Sequence, residues 1–418
     1  MDNASDHQNI PLRIEPMCIP RRVIITGATG FIGSLLVPRL QEAGCELLLV
    51  GRSSSRIETA YPGIAACTYQ DLADLGAGFD LLIHLAVINS DSSLSADEIR
   101  AVNVDLAIRI AKAASEADIP KMLNISSTHA LNSSNNSAYA RSKREAAELL
   151  GKVEDIEVCN LYLPLVYGER FSGKLARLNG IPKPFSSPLF VALAALKPTC
   201  HIDLLVAHIL AGVPGEPRIL SDRQMTNPVY RAVTRSVDLA FALVVVVFFS
   251  WLLLLTWVAI RLDSPGPGIL RQMRVGRGAQ EFVCYKFRTM KAGTRQAGTH
   301  EVSAAEVTSV GAFLRKTKLD ELPQILNIFR NEIALIGPRP CLPVQTELVE
   351  ERKRRGVLDL KPGISGLAQV NKIDMSDPHH LAIWDARYAA LRTLPMDLSI
   401  AVATFRGKGR GDNTTGSG

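Results

Sequence analysis

The seven cysteines of this chain (Cys18, Cys45, Cys67, Cys159, Cys200, Cys284 and Cys341) form no C-x-x-C pair, and their number is odd. This excludes a zinc ribbon or a disulfide framework and points to reduced thiols in a cytoplasmic setting. Residues 1–20 lack the apolar core of a signal peptide and read as a flexible polar leader. There is no internal repeat. The formal net charge is only +6, from 47 Lys+Arg against 41 Asp+Glu, and no arginine-rich arm is present. So small an excess excludes a nucleic-acid coat and suits phosphate substrates or an anionic membrane surface.

One stretch lacks charge altogether. Residues 239–260 contain no Asp, Glu, Lys or Arg, whereas Arg231, Arg235 and Asp238 precede them and Arg261 and Asp263 follow. The run is about long enough to cross a hydrocarbon core, so a membrane helix is expected there. Ser264-Pro265-Gly266-Pro267-Gly268 then breaks it. Residues 407–418 form a polar Gly/Ser/Thr-rich tail, expected to be disordered.

Before the apolar run, strand and helix patterns alternate. Strands are expected over 23–26, 46–50, 79–85, 121–126 and 158–163, and helices over 31–43, 99–117 and 139–152. That order implies an α/β fold, a doubly wound parallel sheet of Rossmann type with helices on both faces. Gly27, Thr29, Gly30, Phe31, Ile32 and Gly33 follow the first strand and open a helix, which suits a pyrophosphate at a helix N-terminus. At the end of the second strand Arg52, with Ser53 and Ser54, suits a 2′-phosphate, favouring NADP over NAD. Asp71 and Leu72 are placed to meet the adenine amine. Tyr139 and Lys143 lie one helical turn apart. The ammonium is expected to lower the phenol pKa, so that Tyr139 passes a proton to or from a carbonyl during hydride transfer. Ser126, Ser127 and Thr128 offer hydroxyls to the same carbonyl.

These residues, with His84-Leu85-Ala86, Asn103-Val104 and Leu163-Pro164-Leu165-Val166-Tyr167-Gly168, resemble the extended short-chain dehydrogenase/reductase family from about residue 21 to 212. The stretch from Gly173-Lys174-Leu175 to Gly180-Ile181-Pro182-Lys183-Pro184-Phe185 looks like the branch acting on UDP-N-acetylhexosamines as 4-epimerases or 4-ketoreductases. The resemblance implies that Thr128, Tyr139 and Lys143 are catalytic and that Pro164 joins the cofactor site. Two departures stand out: the segment from Thr128 to Tyr139 is short, and the substrate-binding part after Phe185 is abbreviated.

After the apolar run, the stretch Lys318-Leu319-Asp320-Glu321-Leu322-Pro323-Gln324 sets two adjacent carboxylates in an apolar segment, and Gly337-Pro338-Arg339-Pro340 follows. A carboxylate can attack phosphorus or bind a metal, and a fixed guanidinium suits phosphate oxygens. Together with Ser264-Pro265-Gly266-Pro267, Tyr285-Lys286-Phe287-Arg288-Thr289-Met290, Lys361-Pro362-Gly363-Ile364-Ser365-Gly366 and Asp385-Ala386-Arg387-Tyr388, these motifs resemble the bacterial sugar transferases, monotopic polyprenyl-phosphate phosphoglycosyl transferases. The match covers nearly all of 229–404.

This second resemblance implies transfer of sugar-1-phosphate from a UDP-sugar to polyprenyl (undecaprenyl) phosphate. Asp320 would be the nucleophile. Glu321 would orient Mg²⁺ or a proton, with Asp320 and Glu321 as the metal carboxylates. Lys286, Arg288, Arg315, Arg339 and Asp385 would bind substrate. The family usually carries Ser-Pro at mid-helix; here Ser250-Trp251 stands in its place.

The expected architecture is a leader (1–20), a cofactor-binding domain (21–225) and a small, mostly α transferase domain (226–406). The last carries a re-entrant helix on the cytoplasmic face of a bacterial inner membrane. The expected function is bifunctional: the first half finishes a UDP-sugar at C4, and the second loads it onto the lipid carrier to initiate a polysaccharide such as O-antigen. Expected partners are the UDP-sugar, the polyprenyl phosphate and membrane lipid, without nucleic acid; a homodimer stays open. The other reading keeps only the transferase active and makes the first half a binding module.

Overall fold

The computed structural model describes residues 20–88, 94–171, 173–213, 215–291, 293–294 and 306–408. The expected leader, up to residue 19, and the expected tail, from residue 409, lie outside them. The chain forms two compact units. The first comprises Met1–Pro182 and Thr199–Asp222, and the second Lys183–Pro198 and Arg223–Gly418. Thus Lys183–Pro198 belongs with the second unit, although the sequence reading placed it in the first.

The first unit is built on strands β1 (Arg22–Thr26), β2 (Glu46–Gly51), β3 (Ala65–Thr68), β4 (Leu81–His84), β5 (Lys121–Ser127) and β6 (Glu157–Leu163). A short β7 (Leu165–Tyr167) pairs with β8 (Thr199–His201), and β9 (Arg218–Ile219) closes the main sheet. The order is β3-β2-β1-β4-β5-β6-β9, all parallel, the doubly wound arrangement with an added edge strand. Successive side chains of a strand face opposite ways. Val23 and Ile25 therefore pack with Leu36, Val37 and Leu40 of the helix Phe31–Glu42. Ile24 packs instead with Ile110, Ala111 and Ala114 of the helix Ala107–Glu116. Covering both faces is why these strands read as unbroken apolar runs. The helix expected over 99–117 is interrupted by a π-helical turn, Ala101–Leu106.

The second unit opens on one helix of 36 residues, Pro228–Asp263. Asn227 caps it by accepting from the Val229 and Tyr230 N–H groups, and Pro228 needs no partner in the first turn. Ala242 and Val245 pack on Ile325, Ile328 and Ile333. Further along, Ile260 packs on Phe287 and Leu314. Between these contacts residues 246–251 are exposed on every side. An antiparallel hairpin, β10 (Ile269–Val275) and β11 (Glu281–Phe287), follows, then a parallel pair, β12 (Ala334–Ile336) and β13 (Gly363–Ser365).

That pair fuses two of the motifs back to back. Gly337 N–H donates to Ser365 O (2.8 Å) and Gly363 N–H to Pro338 O (2.9 Å). A Cβ on Gly363 would lie 2.1 Å from Gly337 N, so only glycine permits the approach.

Candidate active sites

In the first unit the turn after β1 carries Gly27 at φ +72°, with its absent Cβ 2.7 Å from Ala86 N. Gly33 presses equally close, its Cβ position 2.4 Å from Ala28 O. Gly30 occupies the cap of the helix Phe31–Glu42 without a side-chain bond, leaving that helix end to an external acceptor. Arg52 is exposed just past β2. Asp71 accepts from Thr68 N (3.1 Å) and Oγ1 (2.6 Å), both on Oδ2, so Oδ1 stays available for an amine. The Leu72 side chain is wholly buried in the core. Pro164 is half-buried between β6 and β7.

Tyr139 and Lys143 project from the helix Ala138–Leu150 toward the end of β5. Lys143 is 3% exposed, and its Nζ donates to Ile125 O at 3.1 Å. Burial lowers its pKa to about 7. Beside it His84 is held neutral, its pKa lowered to about 3 by burial and by Lys143. His84 Nδ1 bonds Thr26 Oγ1 (2.8 Å), while His84 Nε2 and Ser126 Oγ are buried without partners among the described residues. Burial raises the Tyr139 pKa, opposed by a hydrogen bond with the Ser127 side chain. Of the three hydroxyls offered, that of Ser127 bonds Tyr139, and the phenol pKa is raised by burial rather than lowered by the ammonium. Asn103, at the π-helical turn, binds Ile88 N through Oδ1 (2.8 Å) and Ser142 Oγ through Nδ2 (3.1 Å), fixing the helix that carries Tyr139.

In the second unit Asp320 and Glu321 lie on the short 3₁₀ turn Leu319–Gln324, entered through Lys318 at φ +58°. β11 packs on this turn, and buried Asn327 ties the two by accepting from Tyr285 N (3.1 Å) and donating to Val283 O (2.6 Å). Lys286, on β11, thus meets Glu321 at 2.9 Å, and Arg339 meets the same oxygen at 3.4 Å. Burial alone would raise the Glu321 pKa, but Lys286 and Arg339 outweigh it and hold the carboxyl below its ordinary range. Its neighbour goes the other way. Burial first, then the Glu321 charge, raises the Asp320 pKa to about 6. Asp320 has no hydrogen-bond or ion-pair partner among the described residues. Arg315 donates to Thr289 Oγ1 (3.0 Å) and lies near enough to Asp320 to act on its charge.

A small, partly open cleft lies here, lined by Arg274, Lys286, Glu321, Gln324, Arg339, Pro340, Gly363 and Ile364. Arg274, absent from the sequence reading, donates to Gln272 Oε1 (2.6 Å) and Pro340 O (2.9 Å). On the β10–β11 hairpin Arg274 stands opposite Phe282 and shares a face with Lys286, four residues beyond the Leu270–Lys286 pair, and nothing local in the sequence marks it.

Two expected substrate ligands are bonded to other groups of the protein. The Arg288 guanidinium donates to Pro265 O (2.8 Å), Ser264 O (2.6 Å) and Ile260 O (3.4 Å), closing the end of the long helix. Asp385 is 2% exposed and holds Arg352 Nη2 at 2.7 Å, while Arg352 Nη1 donates to Arg339 O (2.9 Å). This pair positions Arg339. Arg352→Met would leave Asp385 buried and unpaired, and is expected to cost about 3–5 kcal/mol of stability, read by urea denaturation. A loss below about 1 kcal/mol would contradict the structural role.

Comparison with known proteins bears on both units. Residues 229–409 match the bacterial sugar transferase family, and 23–181 match the NAD dependent epimerase/dehydratase family. The second unit is 33% identical over 175 residues to EpsL of Bacillus subtilis (strain 168), an uncharacterized sugar transferase, covering 41% of this chain and 85% of that protein. The chain belongs to the bacterial sugar transferase family. This sugar transferase is also 35% identical over 192 residues to the UDP-N-acetylgalactosamine-undecaprenyl-phosphate N-acetylgalactosaminephosphotransferase of Aeromonas hydrophila, covering 44% of this chain but only 45% of that protein. Its first unit is similar to the Bordetella bronchiseptica enzyme WbmG solved with NAD and UDP, at 20% identity and a TM-score of 0.38, over 48% of this chain and 72% of that one.

Proposed function

We propose that the second unit transfers sugar-1-phosphate from a UDP-sugar to polyprenyl phosphate, the acceptor class named for the Aeromonas relative. The observation that carries this is the division of labour between the two carboxylates. Glu321 is neutralised by Lys286 and Arg339, and Asp320 is left unbonded beside them. Asp320 Oδ forms a bond to the sugar-linked phosphorus as that phosphorus loses its bond to UMP. A phosphate oxygen of the lipid then attacks the same phosphorus and frees the carboxylate, giving a polyprenyl-diphosphate sugar. Lys286, Arg339, Arg274 and Arg315 spread the charge that two meeting anions develop. Among the described residues no cluster of three metal-ligating side chains exists. The Asp320–Glu321 pair therefore fits Mg²⁺ only in the form completed by substrate phosphates, and when bound the ion would neutralise diphosphate charge.

In the first unit the glycine turn, the open helix end and the unpartnered His84 and Ser126 atoms fit a dinucleotide, NADP by the exposed Arg52. The nicotinamide supplies hydride. Tyr139, kept protonated, gives its proton to a sugar carbonyl oxygen that Ser127 holds. The reading is reduction at C4 of a 4-keto UDP-N-acetylhexosamine derivative, or epimerisation there.

A re-entrant course for the long helix is supported by contacts at both of its ends. Near the start, Arg235 Nη1 donates to Ile328 O (2.8 Å) and Asp238 accepts from Leu335 N (2.9 Å). Near the finish, Arg288 holds Ser264. Both ends bind one catalytic unit, which favours a course that leaves both on its side of the bilayer, with the bare residues 246–251 as the inserted part. The test is UMP release by the full chain in vesicles, across a panel of UDP-sugars. Release that needs polyprenyl phosphate supports the reading; release indifferent to lipid phosphate is hydrolysis and overturns it.

A further inference from the structure

The segment Lys183–Pro198 leaves the nucleotide-binding unit, folds with the transferase unit and returns. Between Lys183 and Lys197 it contains no charged residue. Its helix, Lys183–Ala194, is fixed at the root of the long apolar helix. Asn227 Nδ2 donates to Val191 O (2.9 Å) and Gln224 Nε2 to Ala194 O (2.6 Å). Ser186 and Ala194 face inward and are buried. Phe185, Leu189 and Leu196 face outward, exposed by 70%, 44% and 46%. At about 100° per residue Phe185 and Leu189 fall within roughly 40° of one another on the helix, and Leu196 lies in the turn just past its end.

A second helix, Leu394–Phe405, abuts this one, with Leu394 N–H donating to Ala195 O (3.0 Å). It is tied to the same root, since Asp397 accepts from Tyr230 of the long helix and from Tyr388 (2.8 Å). Its outward stripe is also apolar, with Leu398, Val402 and Phe405 exposed by 65%, 40% and 83%, and Arg406 and Lys408 follow it.

We propose that the helix Lys183–Ala194 is an interfacial membrane helix, seating Phe185, Leu189 and Leu196 among lipid acyl chains with Lys183 and Lys197 at the headgroups. Lipid is the occupant for two reasons. The helix is joined to a second helix with an apolar outer stripe by the Leu394 N–H to Ala195 O bond, and both are tied to the base of a 36-residue apolar helix. Lys183 and Lys197 at the two ends of the first stripe, and Arg406 and Lys408 after the second, complement anionic headgroups, the pattern of helices that lie in the interface plane.

This rests on the membrane reading above, and the test separates the two. The photoreactive p-benzoylphenylalanine is placed singly in the full chain at Phe185, at Phe248 in the bare part of the long helix, and at Glu148, exposed on the first unit. Each protein is reconstituted in vesicles of phosphatidylethanolamine and phosphatidylglycerol and irradiated. Position 185 is expected to cross-link to lipid about tenfold more than position 148. Lipid cross-links at 248 with none at 185 overturn the proposal and spare the membrane reading; none at either position overturns both. Cross-links from 185 to protein, within the chain or to a second copy, also overturn it.

Discussion

Asp320→Asn is expected to lower sugar-phosphate transfer by roughly 10⁴-fold, because the amide keeps the shape of the carboxyl and loses its nucleophilic oxygen. The readout is UMP release with a saturating UDP-sugar and polyprenyl phosphate. The covalent mechanism also demands that protein incubated with UDP-sugar alone retain labelled phosphosugar, and that this label vanish in the variant. Transfer within about tenfold of wild type would rule out Asp320 as nucleophile. The pH dependence follows from its environment. Burial and the Glu321 charge raise the Asp320 pKa to about 6, so transfer should fall about tenfold per unit as pH drops below that value. Stability moves in the opposite sense. A carboxyl with a raised folded pKa favours the folded state at low pH, and that advantage is lost as pH rises through about 6. Asp320→Asn should therefore melt no lower than wild type at pH 7.5, which separates lost chemistry from lost folding.

What was legible in the sequence was what local patterns encode. The glycine turn after β1, the Tyr139–Lys143 spacing and the uncharged run each depend on neighbours a few residues away, and the structure forms a turn, a shared helix and one long helix there. What escaped depends on partners far along the chain. Arg288 and Arg274 belong to equally basic surroundings, yet one binds the carbonyls at the end of the long helix and the other lines the cleft. Nothing local separates Ser127 from Thr128; the choice is made where the helix Ala138–Leu150 crosses the end of β5. Asp385 resembled a ligand because it is a charge in a motif, and Arg352, 33 residues away, makes it a brace. The detour of Lys183–Pro198 was hidden because its apolar residues suit either unit's core equally well.

Lys143→Met should produce the second large effect, and an instructive pairing of losses and gains. Lys143 is almost completely buried with only one hydrogen bond, to Ile125 O, and burial lowers its pKa to about 7. A lysine whose folded pKa is lowered opposes folding once pH falls below its unfolded value, and the penalty is fully developed below about 7. Methionine has nearly the same shape and no charge, so the variant should melt higher than wild type at pH 6.5, with the gain shrinking toward pH 10. At the same time NADPH oxidation with a 4-keto UDP-sugar should fall by about 10³-fold, since the group that positions the proton donor and cofactor is gone. Transfer from a UDP-sugar supplied ready-made should be unchanged, because Asp320, Lys286 and Arg339 lie in the other unit. A buried cation kept at a cost in stability, beside His84 Nε2 and Ser126 Oγ that lack partners among the described residues, favours the catalytic reading over the binding module. Wild-type protein that binds NADPH and a 4-keto UDP-sugar without oxidising the cofactor would nevertheless decide for the module, and Lys143→Met would then change stability alone.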